Sequence, residues 1–141
     1  QAAVLLAKLP HFAGEVERRG AIGARYTEQL REVAAVPEVQ PGNTHVYAQY
    51  TIRVQDRDAL GAALRAAGIP TAVYYPVCLH EQPVFAGGGW TFGDFPVAER
   101  VSREVISLPM HPFLTEDDQD RVVDAIREAR PVPPDPQGKT A

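Results

Sequence analysis

Tyr74, Tyr75, His80 and Gln82 fall in one short stretch, between the β-prone run that starts at Thr71 and the glycine-rich Ala86–Trp90 segment. Two phenols, an imidazole and an amide can donate and accept several directed hydrogen bonds. Aromatic faces add stacking against a ring. This combination suits recognition of a polar, ring-shaped ligand. It does not make a catalytic centre alone, because no nucleophile stands with a base beside it. The only lysines are Lys8, near the start, and Lys139, in the tail. Amine chemistry therefore has no candidate within the cluster, and no catalytic residue is assigned to this chain.

Other residue types that could do chemistry lack the spacing for it. His11, His45, His80 and His111 are far apart and have no cysteine arranged with them, so no metal site is expected. Cys78 is the single cysteine; it excludes an internal disulfide, fits a reducing compartment and reads as packing rather than a nucleophile. Ala86–Trp90 lacks the Gly-Lys-Ser/Thr ending of a phosphate loop and reads as a flexible turn. Ser107 sits in a strand-like run without a nucleophile elbow.

A net charge of −4 with scattered arginines argues against nucleic acid. No apolar run approaches a membrane span, and the opening is not a signal peptide; a cytoplasmic protein is expected. Gln1–Pro10 reads as the middle of a helix, so the chain is expected to be a fragment or excised domain of a longer protein.

The elements that must position the cluster follow from periodicity. Proline inside a helix costs about 3 kcal/mol, so a first helix should stop at Pro10 and a second should begin near Glu15. Ile22, Tyr26, Leu30 and Val33 give that second helix one apolar face. Residues 45 to 54 alternate with period two, placing Val46, Ala48, Tyr50, Ile52 and Val54 on one face of a strand. Asp56 caps the next helix, whose stripe is Leu60, Ala63, Leu64 and Ala67, and Gly68 stops it. Thr71–Tyr75 and Val105–Leu108 read as further strands, with a short helix over 96–103 before the latter. Thr115 opens a last helix with acidic residues in its first turn and arginines in its last. The fold class is α/β: a small sandwich of about three strands with helices on one face. Residues 1–36 form a linker helix and the first domain helix, 37–130 the small α/β domain, and 131–141 a disordered proline-rich tail.

Several motifs occur in order: Tyr74-Tyr75-Pro76; Leu79-His80 with Gln82-Pro83; Gly93-Asp94-Phe95-Pro96; Ser107-Leu108-Pro109-Met110-His111. With Tyr47–Ile52, Gly68–Ala72 and Phe95–Glu99, the chain resembles the C-terminal small domain of the DegT/DnrJ/EryC1/StrS family of nucleotide-sugar aminotransferases. The resemblance covers nearly all of the chain. Within the family, Asn43–Thr51 looks most like enzymes acting on 3-keto UDP-N-acetylglucosaminuronate, which make diamino-uronic sugars for surface polysaccharides.

The resemblance implies a fold-type-I transaminase that depends on pyridoxal 5'-phosphate. In such enzymes a lysine Schiff base holds the cofactor, an amino donor (commonly glutamate) charges it, and a UDP- or dTDP-linked keto sugar receives the amino group. The resemblance also implies a homodimer, and a large domain carrying that lysine that is absent from this chain. Tyr75 matches the family pattern for a residue touching the nucleotide sugar. Tyr74 stands where relatives usually carry histidine, and a phenol cannot turn positive toward a uronate carboxylate as imidazolium can. His80 and Gln82 are candidates to line the site's entrance, with structural roles in the loop as the equal alternative. The competing reading is a non-catalytic module that binds a nucleotide sugar or serves dimerisation.

Overall fold

A computed structural model describes residues 1–134. Its longest element, α1 (Ala2–Leu30), runs straight through Pro10. The expected stop at Pro10 is therefore wrong, and one helix replaces two. Proline removes one amide donor and orphans the carbonyl of Leu6. Leu6 and Leu9 are exposed, so water can replace the hydrogen bond that this carbonyl loses. The C-terminal half of α1 has the expected apolar face: Ile22, Tyr26 and Leu30 are buried.

The alternating stretch pairs over fewer residues than expected. Strand β1 covers only Tyr50–Arg53. Upstream, Tyr47 takes φ +44°, and its amide donates to His45 Nδ1 at 2.9 Å. A left-handed residue breaks the pleat, so residues 45–49 leave the sheet and Val46 is exposed. The Tyr47 ring instead lies flat on Gly23 of α1, where an added Cβ would meet it at 2.5 Å.

Helix α2 (Arg57–Ala66) starts where Asp56 accepts from the Ala59 amide. It ends ahead of Gly68 at φ +72°, a conformation glycine adopts without a Cβ penalty. Helix α3 (Pro96–Glu104) leads directly into strand β2 (Val105–Leu108). The last helix, α4 (Glu116–Ala129), opens on a Thr115–Asp118 capping box.

Strands β1 and β2 pair antiparallel, with Tyr50 opposite Leu108 and Thr51 opposite Ser107. Single bridges extend this ribbon on each side, Ala35 to Arg53 and Ala72 to Ser107. The expected third strand, Thr71–Tyr75, is thus reduced to one bridging residue. Pro70 and Pro76 flank it without amide hydrogens, and the chain turns out of the sheet after Ala72.

The core fills one face of the sheet. Tyr26, Leu30, Tyr50, Ile52, Leu64, Ile106 and Ile126 are all but inaccessible, and each buried aliphatic side chain contributes roughly 1.5–3 kcal/mol. Polar atoms in this layer are satisfied. Tyr50 Oη pairs with Thr27 Oγ1 at 2.8 Å, Tyr26 donates to the Pro109 carbonyl, and the buried Gln119 amide donates to the Ile22 carbonyl at 3.0 Å. Burial pushes the Tyr50 phenol up to about 12. Ile22, Tyr26, Leu30 and Ala34 share this core with residues of β1, α2, β2 and α4. Of the tail expected from Pro131, Val132 accepts from the Gln55 amide at 2.9 Å and Pro134 is buried. The remainder of that tail lies outside the described residues.

Candidate functional site

Residues that alternate with the core positions point to the other face of the sheet. There Thr51 Oγ1 and Ser107 Oγ hydrogen-bond across the strands at 2.7 Å. They floor a cavity of about 590 Å³, within the ordinary range for a small-molecule site. One wall is the chain leaving the sheet, from Ala72 through Tyr75 to Leu79, together with Gln82. The opposite wall is α3, through Ala98, Val101 and Ser102. Short strands set the floor, and the proline-bounded exit from β-pairing puts the two tyrosines at the rim.

Three of the four residues singled out in the sequence meet here. Tyr74, Tyr75 and Gln82 line the cavity, and the tyrosines are 53% and 80% exposed, leaving ring and hydroxyl free for a ligand. His80 does not join them. Its Nε2 lies 2.9 Å from Glu99 Oε1, and its ring packs on Phe95 with centroids 4.7 Å apart. It borders a second, smaller hollow of about 400 Å³ with Phe85, Trp90 and Phe95.

Glu99 was not singled out in the sequence, although it closes the Phe95–Glu99 motif. Its side chain is 2% exposed. The carboxylate accepts from the Gly93 amide through both oxygens, at 2.9 and 3.0 Å, and from the Phe95 amide at 3.2 Å. Burial pushes this carboxyl up, but the Gly93 and Phe95 amides and His80 outweigh it and hold it below the usual range. Gly93 supplies its amide from φ +102°, which favours glycine. The available signal was a carboxylate in the first turn of a helix begun by proline, four residues after a Phe.

The cavity's lining is neutral: hydroxyls, two amide side chains, one thiol and apolar surface, with no Lys, Arg, Asp, Glu or His. Such a lining can orient a ligand by hydrogen bonds, and it offers no carboxylate, imidazole or amine as a general acid or base. Lys8 lies on the exposed N-terminal half of α1 and does not line it. Among the described residues, no group of His, Cys, Asp and Glu is arranged to hold a metal ion, and no helix is long and apolar enough to cross a membrane. Cys78 lines both hollows.

Comparison with known proteins matches this architecture. Residues 1–127 fit the profile of the DegT/DnrJ/EryC1/StrS aminotransferase family. The chain is 46% identical over 132 residues to a pleiotropic regulatory protein of Geobacillus stearothermophilus, covering 91% of the chain and 36% of that protein. It is 43% identical over 115 residues to UDP-2-acetamido-2-deoxy-3-oxo-D-glucuronate aminotransferase of Pseudomonas aeruginosa, covering 81% and 31%. The crystal structure of a DegT DnrJ EryC1 StrS aminotransferase from Brucella abortus superposes with a TM-score of 0.86 at 44% identity, over 92% of this chain and 35% of that one. The chain spans about a third of the length of the relatives it matches.

Proposed function

The chain belongs to the DegT/DnrJ/EryC1/StrS aminotransferase family, and from that premise we propose that it is the sugar-facing, C-terminal part of a pyridoxal-phosphate-dependent aminotransferase. The whole enzyme moves an amino group, supplied by glutamate, onto a UDP- or dTDP-linked keto sugar. The observation that carries this reading is the neutral cavity with Tyr74, Tyr75 and Gln82 at its wall and no amine inside. Hydroxyls and amides directed at a cavity of this size suit a sugar ring, whose own hydroxyls need matched donors and acceptors. Tyr75 and Tyr74 contact the sugar or its diphosphate, and Gln82 lines the approach.

Pyridoxal phosphate supplies the electron sink for amino transfer when it is bound. The residues described here do not fit its anchoring, since the cavity offers no lysine and Lys8 projects from bare helix. We assign the anchoring lysine to the two-thirds of the relatives' length that this chain does not span, and expect this chain alone to be inactive. A homodimer in the cytoplasm belongs to the same proposal.

The test is expression of a longer reading frame that contains these residues. Loaded with the cofactor and given glutamate with a keto nucleotide sugar, it forms an amino sugar and 2-oxoglutarate. The 141-residue chain alone gives no turnover, and borohydride traps no stoichiometric cofactor on it. A longer protein that binds the nucleotide sugar without amino transfer would instead favour the non-catalytic module. Turnover by the short chain would overturn the assignment of the lysine.

A further inference from the structure

From Val73 to Phe95 the chain has no strand and only two single-turn 3-10 helices, Leu79–Glu81 and Pro83–Phe85. A segment of that length without a ladder needs another source of definition. Glu99 provides it. One almost inaccessible carboxylate gathers the Gly93 and Phe95 amides and the His80 ring, and so ties three separate points of the loop to the first turn of α3. An ionised carboxylate only accepts, so His80 Nε2 carries the hydrogen. The tie reaches the cavity through the backbone: His80 sits in the same turn as Leu79, and Gln82 follows two residues on, both residues lining the wall. Neither His80 nor Glu99 lines the cavity itself.

We propose that Glu99 and His80 are a positioning pair for the sugar site: they hold the 78–82 turn against α3 and thereby set where Gln82 stands across from the floor formed by Thr51 and Ser107. They act through the wall and do not touch the substrate. The proposal rests on the reading of this cavity as the sugar site.

Two arms test it. In the 141-residue chain, Cys78 is the sole thiol and lies in the held segment, so its rate of modification by a bulky disulfide reagent at constant pH reports release of the wall. Glu99→Gln keeps the volume of the side chain and removes its charge. His80→Gln can still donate to Glu99, whereas His80→Ala cannot. Glu99→Gln and His80→Ala are expected to speed Cys78 modification, and His80→Gln to stay near the parent rate. In the longer enzyme the same two loosened variants should raise KM for the keto sugar by roughly two- to tenfold, as for loss of one neutral hydrogen bond from Gln82. The amino-donor half-reaction should be unchanged, and His80→Gln should restore the parent KM. Faster Cys78 modification with an unchanged sugar KM would overturn the proposal, leaving the pair a purely architectural tie. A raised sugar KM with Cys78 still protected would also overturn it, because the residues would then be acting on the sugar directly. If Glu99→Gln does not fold, the two His80 variants carry both arms. Absence of keto-sugar turnover in the unmodified longer enzyme would sink the functional reading instead, and the Cys78 arm would still decide whether the pair holds the wall.

Discussion

Removing one oxygen from Tyr75 separates recognition from packing. The ring is 80% exposed, so Tyr75→Phe should leave the fold's stability within about 0.5 kcal/mol of the parent, as surface substitutions do. If the hydroxyl bonds the nucleotide sugar, its loss costs about 0.5–1.5 kcal/mol. That rises to about 1–3 kcal/mol when a buried partner is left unsatisfied. On a scale of tenfold per 1.4 kcal/mol, sugar-dependent turnover in the longer enzyme should fall roughly three- to a hundredfold. Stopped-flow spectroscopy resolves the two half-reactions through the cofactor's absorbance. Conversion of the cofactor by the amino donor should proceed at the parent rate, because the sugar takes no part in it. Amination of the keto sugar should slow, with the loss appearing in kcat/KM. Equal slowing of both half-reactions, or of neither, would refute a substrate contact at Tyr75.

Three further outcomes are expected. Tyr74→His should preserve activity or shift preference toward sugars bearing a carboxylate, measured as the ratio of kcat/KM for acidic and neutral keto sugars; an unchanged ratio with lost activity would argue against it. Gly23→Ala places a Cβ 2.5 Å from the Tyr47 ring and should destabilise by about 1–3 kcal/mol in urea unfolding, whereas in a Tyr47→Ala background the added penalty should vanish. The Thr115 hydroxyl holds the Asp118 carboxyl low, and Arg25 does the same for Asp120. A depressed carboxylate contributes stability that is complete above its unfolded pKa, about 4, and is lost as pH falls through the folded value. Melting temperature should therefore drop below about pH 4, and more gradually in Asp120→Asn; identical acid profiles would contradict the assignment.

Elements whose ends carry their own chemistry were legible in the sequence. Asp56 and Thr115 accept early amides as expected, Gly68 takes the left-handed stop, and Val105–Leu108 is the strand read from its pattern. The departures arise where tertiary contact overrules local preference. Pro10 interrupts one hydrogen bond, yet solvent exposure makes that tolerable. Tyr47 leaves the pleat because its ring finds the flat surface of Gly23, a partner 24 residues away that no period reveals. Of the candidate site, Tyr74, Tyr75 and Gln82 were legible as a cluster of hydrogen-bonding side chains. His80 resembled them in type but turned to a carboxylate 19 residues on. Glu99 was hidden because its partners are mostly backbone amides, which carry no signature in side-chain identity.

The pleat of β1 and β2 has a consequence for how such a protein can change. Tyr50, Ile52, Ile106 and Leu108 face the core, while Thr51 and Ser107, between them in sequence, face the cavity. Substituting Thr51 or Ser107 recuts the cavity floor and leaves the hydrophobic layer intact. The loop wall adds a second freedom: doubling a flexible loop's length costs only about 0.6 kcal/mol in closure entropy, so long as its ends remain fastened. Ligand preference can therefore drift, residue by residue and loop by loop, over a core that stays still. Diversification of what the cavity accepts and conservation of the fold need not compete for the same positions.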